Sequence, residues 1–318
     1  MLTLNFLLLS IGLFLVVKGA DILISSAVAI GKKYGVSDFF IGLVVIGFGT
    51  SLPELLVSID AIIKKSPELS IGNVLGSNIS NILLVLGSAL FISKINLRKI
   101  SRFDNIFHFF IHIFFLLIVW LLVFDYKIGL VFLILFAFYI YKSFNNSLSN
   151  NENELETKDF LTTMVYKKPL IIGLPTIIFS IILTFFGAEF TVDSVIDISD
   201  YFGISDSFLA LTLVALGTSL PEIITSVRAA QKNMSELIIG NIFGSNIYNL
   251  LLILGFVSFF EAFSFPKEVL FFEVIFLFIC VVGFSLILHL NKELDKKFSW
   301  IFLTVYFFYL LKLILTNF

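Results

Sequence analysis

Two glutamates, Glu54 and Glu222, each close an identical segment, GTSLPE, at 49–54 and 217–222, in the middle of a long apolar stretch. A carboxylate in such surroundings is costly unless something neutralises it, and neither motif carries a lysine or arginine to do so. Pro53 has no backbone donor and collides with the carbonyl four residues earlier, so it should free or displace the Gly49 carbonyl, and Pro221 that of Gly217. Carbonyls released in apolar surroundings need a polar user, and a desolvated cation is a natural one. Thr50 and Glu54 stand four apart on one helical face, as do Thr218 and Glu222. The competing reading is a helix–helix ion pair or a protonated, merely buried acid.

A second doubled motif follows, GNVLGSNISN at 72–81 and GNIFGSNIYN at 240–249. Ser77 shares a face with Asn81, and Ser245 with Asn249, adding hydroxyl and amide oxygens to the supply, with packing as the alternative role. Gly72, Gly76, Gly240 and Gly244 read as close helix contacts. Every donor in this set is oxygen. Hard cations such as sodium and calcium select oxygen, whereas zinc or copper would ask for histidine or thiolate. Two ionised glutamates supply a charge that one calcium ion balances or several sodium ions replace. An empty site with two unpaired acids should resist passing between access states, and either cargo relieves the repulsion.

The elements that must hold these residues are membrane helices. Of 318 residues, 58% are hydrophobic and 14% charged, and the mean hydropathy of +1.05 lies outside the range of water-soluble domains. Apolar runs of about 20 residues, the length that crosses a bilayer, recur along the chain. They mark ten spans, near 2–31, 37–63, 68–91, 104–124, 128–144, 169–196, 206–231, 236–262, 268–290 and 299–315. The polar break at 145–168 contains NNSLSNNENELETKD and reads as a mobile linker dividing the spans five and five. The fold expected is an all-α polytopic membrane protein, with a first repeat at 1–144, a cytoplasmic linker at 145–168 and a second repeat at 169–318.

The halves repeat one another at a constant offset: Gly35 matches Gly203, Glu54 matches Glu222, Gly76 matches Gly244 and Asn81 matches Asn249. Aligning 47–87 with 215–255 gives 23 identities in 41 positions, more than shared hydrophobicity produces. An odd number of spans per half makes the second copy enter from the opposite side, so the repeats are inverted. With the amino terminus outside, the cytoplasmic breaks hold fifteen lysines and arginines and the outer breaks five. That bias places both termini outside the plasma membrane and the linker in the cytoplasm. The apolar start from Leu2 to Val17 lacks a basic leader and a cleavage site, and reads as a retained first helix.

Within this frame the doubled GTSLPE and GSNI segments resemble the alpha repeats of the sodium/calcium exchanger family in the calcium/cation antiporter superfamily. The resemblance covers both repeats. It implies alternating access, in which the first two helices of each half slide against a bundle of the rest. It also implies that Glu54 and Glu222 bind calcium with the backbone carbonyls of Thr50 and Thr218. Sodium would be held at the same acids, by Ser51, Ser77, Ser219 and Ser245, with the Gly47 and Ala215 carbonyls nearby and Asn81 and Asn249 adding amide oxygens. Many relatives carry aspartate where this chain has Asn249. Potassium-dependent members tend to rely on that acid, which argues against potassium dependence here. Proton-coupled relatives often lack the TSLP run, which favours sodium as the driving ion.

Other features are set aside. A net charge of −2 with no basic stripe argues against nucleic acid as partner. Cys280, the one cysteine, excludes an internal disulfide. His108 and His112 stand four apart and are weighed as a metal pair, but no acid or thiol except Asp104 lies near in sequence. Lys18 and Asp21 read as a local ion pair, with Glu189 at the position equivalent to Asp21. Glu152, Glu154, Glu156 and Asp159 read as a solvated run without calcium-loop spacing. No nucleotide loop and no nucleophile with a base is found, so an enzyme is not expected, nor a cofactor beyond the transported sodium and calcium. The partners expected are sodium and calcium ions and the lipid bilayer, with protein partners unknown. The reading is a secondary antiporter exchanging sodium for calcium, with proton/calcium exchange and a cation channel as rivals.

Overall fold

A backbone segment surrounded by hydrocarbon must satisfy its own N–H and C=O groups, which restricts each apolar run of this chain to helix. The computed structural model describes residues 2–121, 123–148, 159–201, 218–260, 262–264 and 267–316. The first half holds α1 (Leu2–Lys33), α2 (Asp38–Ile41), α3 (Gly47–Thr50), α4 (Leu52–Ile63), α5 (Pro67–Ser80), α6 (Leu86–Ile92), α7 (Arg102–Leu121) and α8 (Tyr126–Ser147). After α9 (Phe160–Lys167) the second half holds α10 (Leu174–Tyr201), α11 (Leu220–Gln231), α12 (Ser235–Ile247), α13 (Leu254–Val257), α14 (Lys267–Leu290) and α15 (Lys296–Thr316). Among the described residues seven helices are long and apolar enough to cross a membrane, and α2–α4 add an eighth, bent by 44°. Each of the ten expected spans coincides with helix, the seventh being described only from residue 218 onward. The chain is an all-α polytopic membrane protein.

Wider π-turns interrupt the motif-bearing spans at Gly42–Ile46, Asn81–Val85 and Tyr248–Ile253. The last two follow the GSN segments of the two halves and contain Asn81 and Asn249. Such turns perturb the regular backbone ladder and are frequent at functional sites. The repeat is also legible in backbone detail. Lys65 (φ 58°) and Asn233 (φ 56°), 168 residues apart, both occupy the left-handed region at the helix turn after the GTSLPE helix. Ser66 N–H donates to the Ala61 carbonyl at 2.9 Å, and Met234 N–H to that of Ala229 at 3.0 Å.

The motif helices lie innermost. The apolar window of the α12–α13 span is 94% buried and that of α5–α6 72%, against 33% for α1 and 28% for the α10 span. Close backbone contact makes that burial possible. A Cβ on Gly240 would fall on the Phe39 carbonyl, and one on Gly244 on that of Leu43, as expected for packing glycines. Among the described residues nothing lies within 4 Å of a Cβ on Gly76. The counterpart of Leu43 there is Leu211, which is outside the described residues. On the periphery α1 and α10 pack along each other, with a Cβ on Gly12 only 2.8 Å from the Gly187 carbonyl.

Two local elements differ from the sequence reading. The break at 145–168 was expected to be unstructured throughout, yet α8 runs to Ser147 and α9 forms from Phe160. Asp159 caps α9 by accepting from the Thr162 N–H at 2.9 Å and its hydroxyl at 2.6 Å, and these bonds hold its carboxyl below the usual range. Val165 is buried, so an apolar contact stabilises a helix that the flanking polar composition conceals. A two-residue antiparallel ladder, β1 (Ile95–Asn96) with β2 (Glu293–Leu294), also joins the halves, a pairing too short to carry a sequence signal.

Gly240→Leu should lower unfolding stability by about 1–3 kcal/mol through forced separation of backbones. Thermal unfolding in detergent measures this, with Gly283→Leu as control, because nothing described lies within 4 Å of a Cβ there.

Candidate cation site

The site begins with two breaks in helices. Ser51 (φ −85°, ψ 6°) separates α3 from α4, and Ser219 (φ −82°, ψ 0°) precedes α11 in the same conformation. Pro53 and Pro221 sit in the first turn of the new helices, where a missing N–H is tolerated. Glu54 and Glu222 therefore occupy first turns rather than mid-helix positions, where unpaired N–H groups and the helix dipole favour negative charge. In the first half the break has moved an N-terminus to the middle of the bent span Asp38–Ile63.

Nine of the predicted site residues are buried: Thr50, Ser51, Glu54, Ser77, Asn81, Ser219, Glu222, Ser245 and Asn249, none more than 4% exposed. Gly47 is buried beside them, its added Cβ only 3.1 Å from Ser245 N. Thr218 is partly buried, and its hydroxyl bonds to Glu54 of the other half. Ala215 and Gly217, like Gly203, lie outside the described residues.

The acids are held by neutral donors. Ser77 Oγ donates to Glu54 Oε1 at 3.4 Å, and its repeat partner Ser245 Oγ to Glu222 Oε1 at 3.5 Å. Ser51 Oγ of the first half also donates to Glu222 Oε1, at 3.4 Å. Glu54 and Glu222 are near enough to act on each other electrostatically. Neither takes part in an ion pair among the described residues, so the helix–helix ion pair weighed from sequence is not what holds them. Their second oxygens, Glu54 Oε2 and Glu222 Oε2, are buried with no hydrogen-bond partner among the described residues. Asn81 Oδ1, Asn249 Oδ1 and Ser219 Oγ share that condition. Buried oxygens are seldom left unpaired, and this set has the chemistry of a hard-cation shell.

Residues that the sequence reading did not single out complete the scaffold. Asn81 Nδ2 donates to Asn246 Oδ1 at 3.1 Å, and Asn249 Nδ2 to Asn78 Oδ1 at 2.9 Å, each bond crossing between halves. Asn73 Nδ2 donates to Ser58 Oγ at 3.0 Å and Asn241 Nδ2 to Ser226 Oγ at 3.1 Å, again as repeat partners. Thr50 Oγ1 reaches Asn241 Oδ1 at 3.4 Å. The available signal was recurrence of each polar residue at the repeat offset inside an apolar run.

One expectation is corrected. Lys18 does not pair with Asp21; its ammonium lies 5.8 Å from the Phe14 ring centre. Asp21 instead accepts from Arg228 Nε at 2.9 Å, with Lys232 Nζ at 3.7 Å. Helical side chains lean toward the amino terminus, which carries Lys18 away, while packing of α1 on α11 presents a guanidinium fork that matches a carboxylate. Of the linker acids, Glu152, Glu154 and Glu156 are outside the described residues, and Asp159 is the α9 cap.

Known proteins resemble this chain along most of its length. A family model described as sodium/calcium exchanger protein matches residues 4–145 and 172–315. The sodium/calcium exchanger MaX1 of Methanosarcina acetivorans is 33% identical over 306 residues, covering 86% of this chain and 87% of the relative. The inner membrane protein YrbG of Escherichia coli is 30% identical over 273 residues, covering 78% and 77%. A solved structure of the sodium-calcium exchanger NCX_Mj, soaked with sodium and no calcium, superposes with a TM-score of 0.83 at 31% identity. That match covers 97% of this chain and 98% of the other.

A cation shell that exists only in the folded state predicts stabilisation by its ion. At a calcium concentration a hundredfold above the dissociation constant, unfolding of the detergent-solubilised protein should be opposed by about 2.7 kcal/mol more than without calcium. The rise in melting temperature should disappear in Glu222→Gln.

Proposed function

The chain belongs to the sodium/calcium exchanger family, and we propose that it performs its exchange at one site shared by both ions between the two glutamates. It is a sodium/calcium antiporter in a multi-pass membrane protein. Glu54 and Glu222, with Thr50 and Thr218, hold calcium. Sodium ions are held by the same acids with Gly47, Ser51, Ser77, Asn81, Ala215, Ser219, Ser245 and Asn249. The observation that carries this assignment is that, among the described residues, buried oxygens on Glu54, Glu222, Asn81, Asn249 and Ser219 have no partner and no cationic side chain is paired to either acid.

Exchange follows from charge balance. Two desolvated carboxylates repel one another across a medium that screens weakly, so the empty site is the least stable one to occlude. Calcium or several sodium ions remove that repulsion, and occlusion is allowed only when one cargo is aboard. Alternating access involves the first two helices of each half, α1 and α10 among them, sliding against a bundle of the rest. Their mutual contact on Gly12 and Gly187 and their largely unburied outer faces support a pair able to move together. The chain divides into a first repeat at 1–144, a cytoplasmic linker at 145–168 and a second repeat at 169–318. The lysine and arginine bias supports a plasma-membrane orientation with both termini outside.

In proteoliposomes a sodium gradient should drive calcium movement, and a pH gradient alone should not. Glu54→Gln and Glu222→Gln should each reduce that flux by at least about a hundredfold while leaving inserted protein, since each removes a charge needed to neutralise calcium. Normal flux in either variant would remove that acid from the mechanism. Asn249→Asp adds a third acid and should shift the dependence on sodium, potassium or protons; unchanged ion profiles would place residue 249 outside the shell.

A further inference from the structure

α7 places His108 and His112 one turn apart behind the site, at 0% and 3% exposure. His112 Nδ1 is 2.7 Å from the His108 carbonyl oxygen, which can only accept, so Nδ1 carries the proton. A second ring proton would leave a charge among apolar side chains, with no carboxylate paired to it among the described residues. His112 Nε2 is therefore a lone pair, and it faces Asn78 Nδ2 at 3.4 Å. His108 Nε2 faces Asn246 Nδ2 at 3.1 Å, and since His108 Nδ1 has no hydrogen-bond partner among the described residues, its acceptor role is indicated by the Asn246 amide alone.

We propose that His112 and His108 are positioning residues, which fix the direction of the asparagine amides so that Asn249 and Asn81 present oxygen, not N–H, to the ions. This rests on the reading that Asn81 and Asn249 are ligands. An amide rotated by half a turn fills nearly the same space but exchanges its acceptor for donors, so shape alone does not keep Asn249 in its ligating sense. An acceptor at the far end does. His112 Nε2 at 3.4 Å and the Asn246 backbone carbonyl at 3.3 Å both face the Asn78 NH₂, and together they turn Asn78 Oδ1 toward Asn249. Asn249 then donates its NH₂ at 2.9 Å, leaving Asn249 Oδ1 unpartnered at the site.

The second relay runs His108, Asn246, Asn81, and ends on the unpartnered Asn81 Oδ1. Each relay starts on one helix of the first half and crosses between the halves, His108 through Asn246 and His112 through Asn78 to Asn249. Reversing any amide would set lone pair against lone pair, or N–H against N–H, at each joint. The relays thereby supply what two carboxylates do not need and two amides do, namely a defined sense. Calcium, held mainly by acids, should depend on them less than sodium.

The test measures half-maximal sodium and half-maximal calcium concentrations for exchange in proteoliposomes with four proteins: His112→Leu, His112→Gln, Asn249→Ala and the His112→Leu/Asn249→Ala pair. Loss of one buried acceptor should raise the half-maximal sodium concentration roughly tenfold in His112→Leu, with a smaller change for calcium. Gln offers an amide oxygen near the place of Nε2 and should return sodium to within about threefold of the parent. The double variant should match Asn249→Ala alone, because His112 then has nothing left to orient. If His112→Leu does not fold, Asn78→Ala cuts the same relay and takes its place with the same expected pattern. A sodium response at the parent value in His112→Leu, a Gln variant as impaired as Leu, or additive losses in the pair would each overturn the relay. Should Asn249→Ala itself leave sodium binding unchanged, the ligand reading fails and takes the relay's purpose with it.

Discussion

Two carboxylates enclosed in an apolar interior, with no base paired to them among the described residues, are the constraint to which the rest of this molecule answers. A buried acid of that kind is unstable as an anion unless a cation or a set of oriented dipoles replaces the water it has lost. Both remedies are built in. The dipoles come from helix starts placed mid-membrane at Ser51 and Ser219 and from the hydroxyls of Ser51, Ser77 and Ser245. The cation, on the function proposed above, is the cargo. A fixed lysine or arginine in its place would satisfy the acids permanently, and none is paired with Glu54 or Glu222 among the described residues.

Inverted duplication supplies the two acids with matching environments, and the cross-half bonds turn two environments into one site. Ser51 of the first half serves Glu222, Thr218 of the second serves Glu54, and the amides of Asn81 and Asn249 each hold an asparagine of the opposite repeat. The helices that carry these groups approach closely because Gly240 and Gly244 let backbone meet backbone. Symmetry is incomplete where it bears on specificity. Both histidines come from α7, and the equivalent positions of the second half are Phe276 and Cys280, whereas positions 81 and 249 both carry asparagine.

Much of this was legible in residue order because its signals are local. Span length, helix-breaking proline beside glycine, the polarity of 145–168 and the repeat offset are all properties of short windows or of their recurrence. They led to the all-α membrane fold, the pairing of Glu54 with Glu222 and nine buried residues of the candidate site. Reading failed where a partner lies far along the chain. Lys18 stands three residues from Asp21, yet Arg228, 207 residues away, takes the acid, because packing and not proximity in sequence sets who meets whom. The helix at 160–167 was hidden for a related reason: its stability comes from Asp159 capping and from Val165 buried in a tertiary contact.

By itself the sequence determined which groups are available and roughly how deep each lies, since composition and periodicity dictate what can remain in hydrocarbon. Only tertiary structure decided which oxygen of each acid is occupied, which end of each amide faces inward, and that two histidines set aside as metal ligands instead contact Asn78 and Asn246. The physical reason is that hydrogen-bond direction is a property of pairs. A residue type states what can be donated or accepted, and only the partner brought beside it by folding selects between the two.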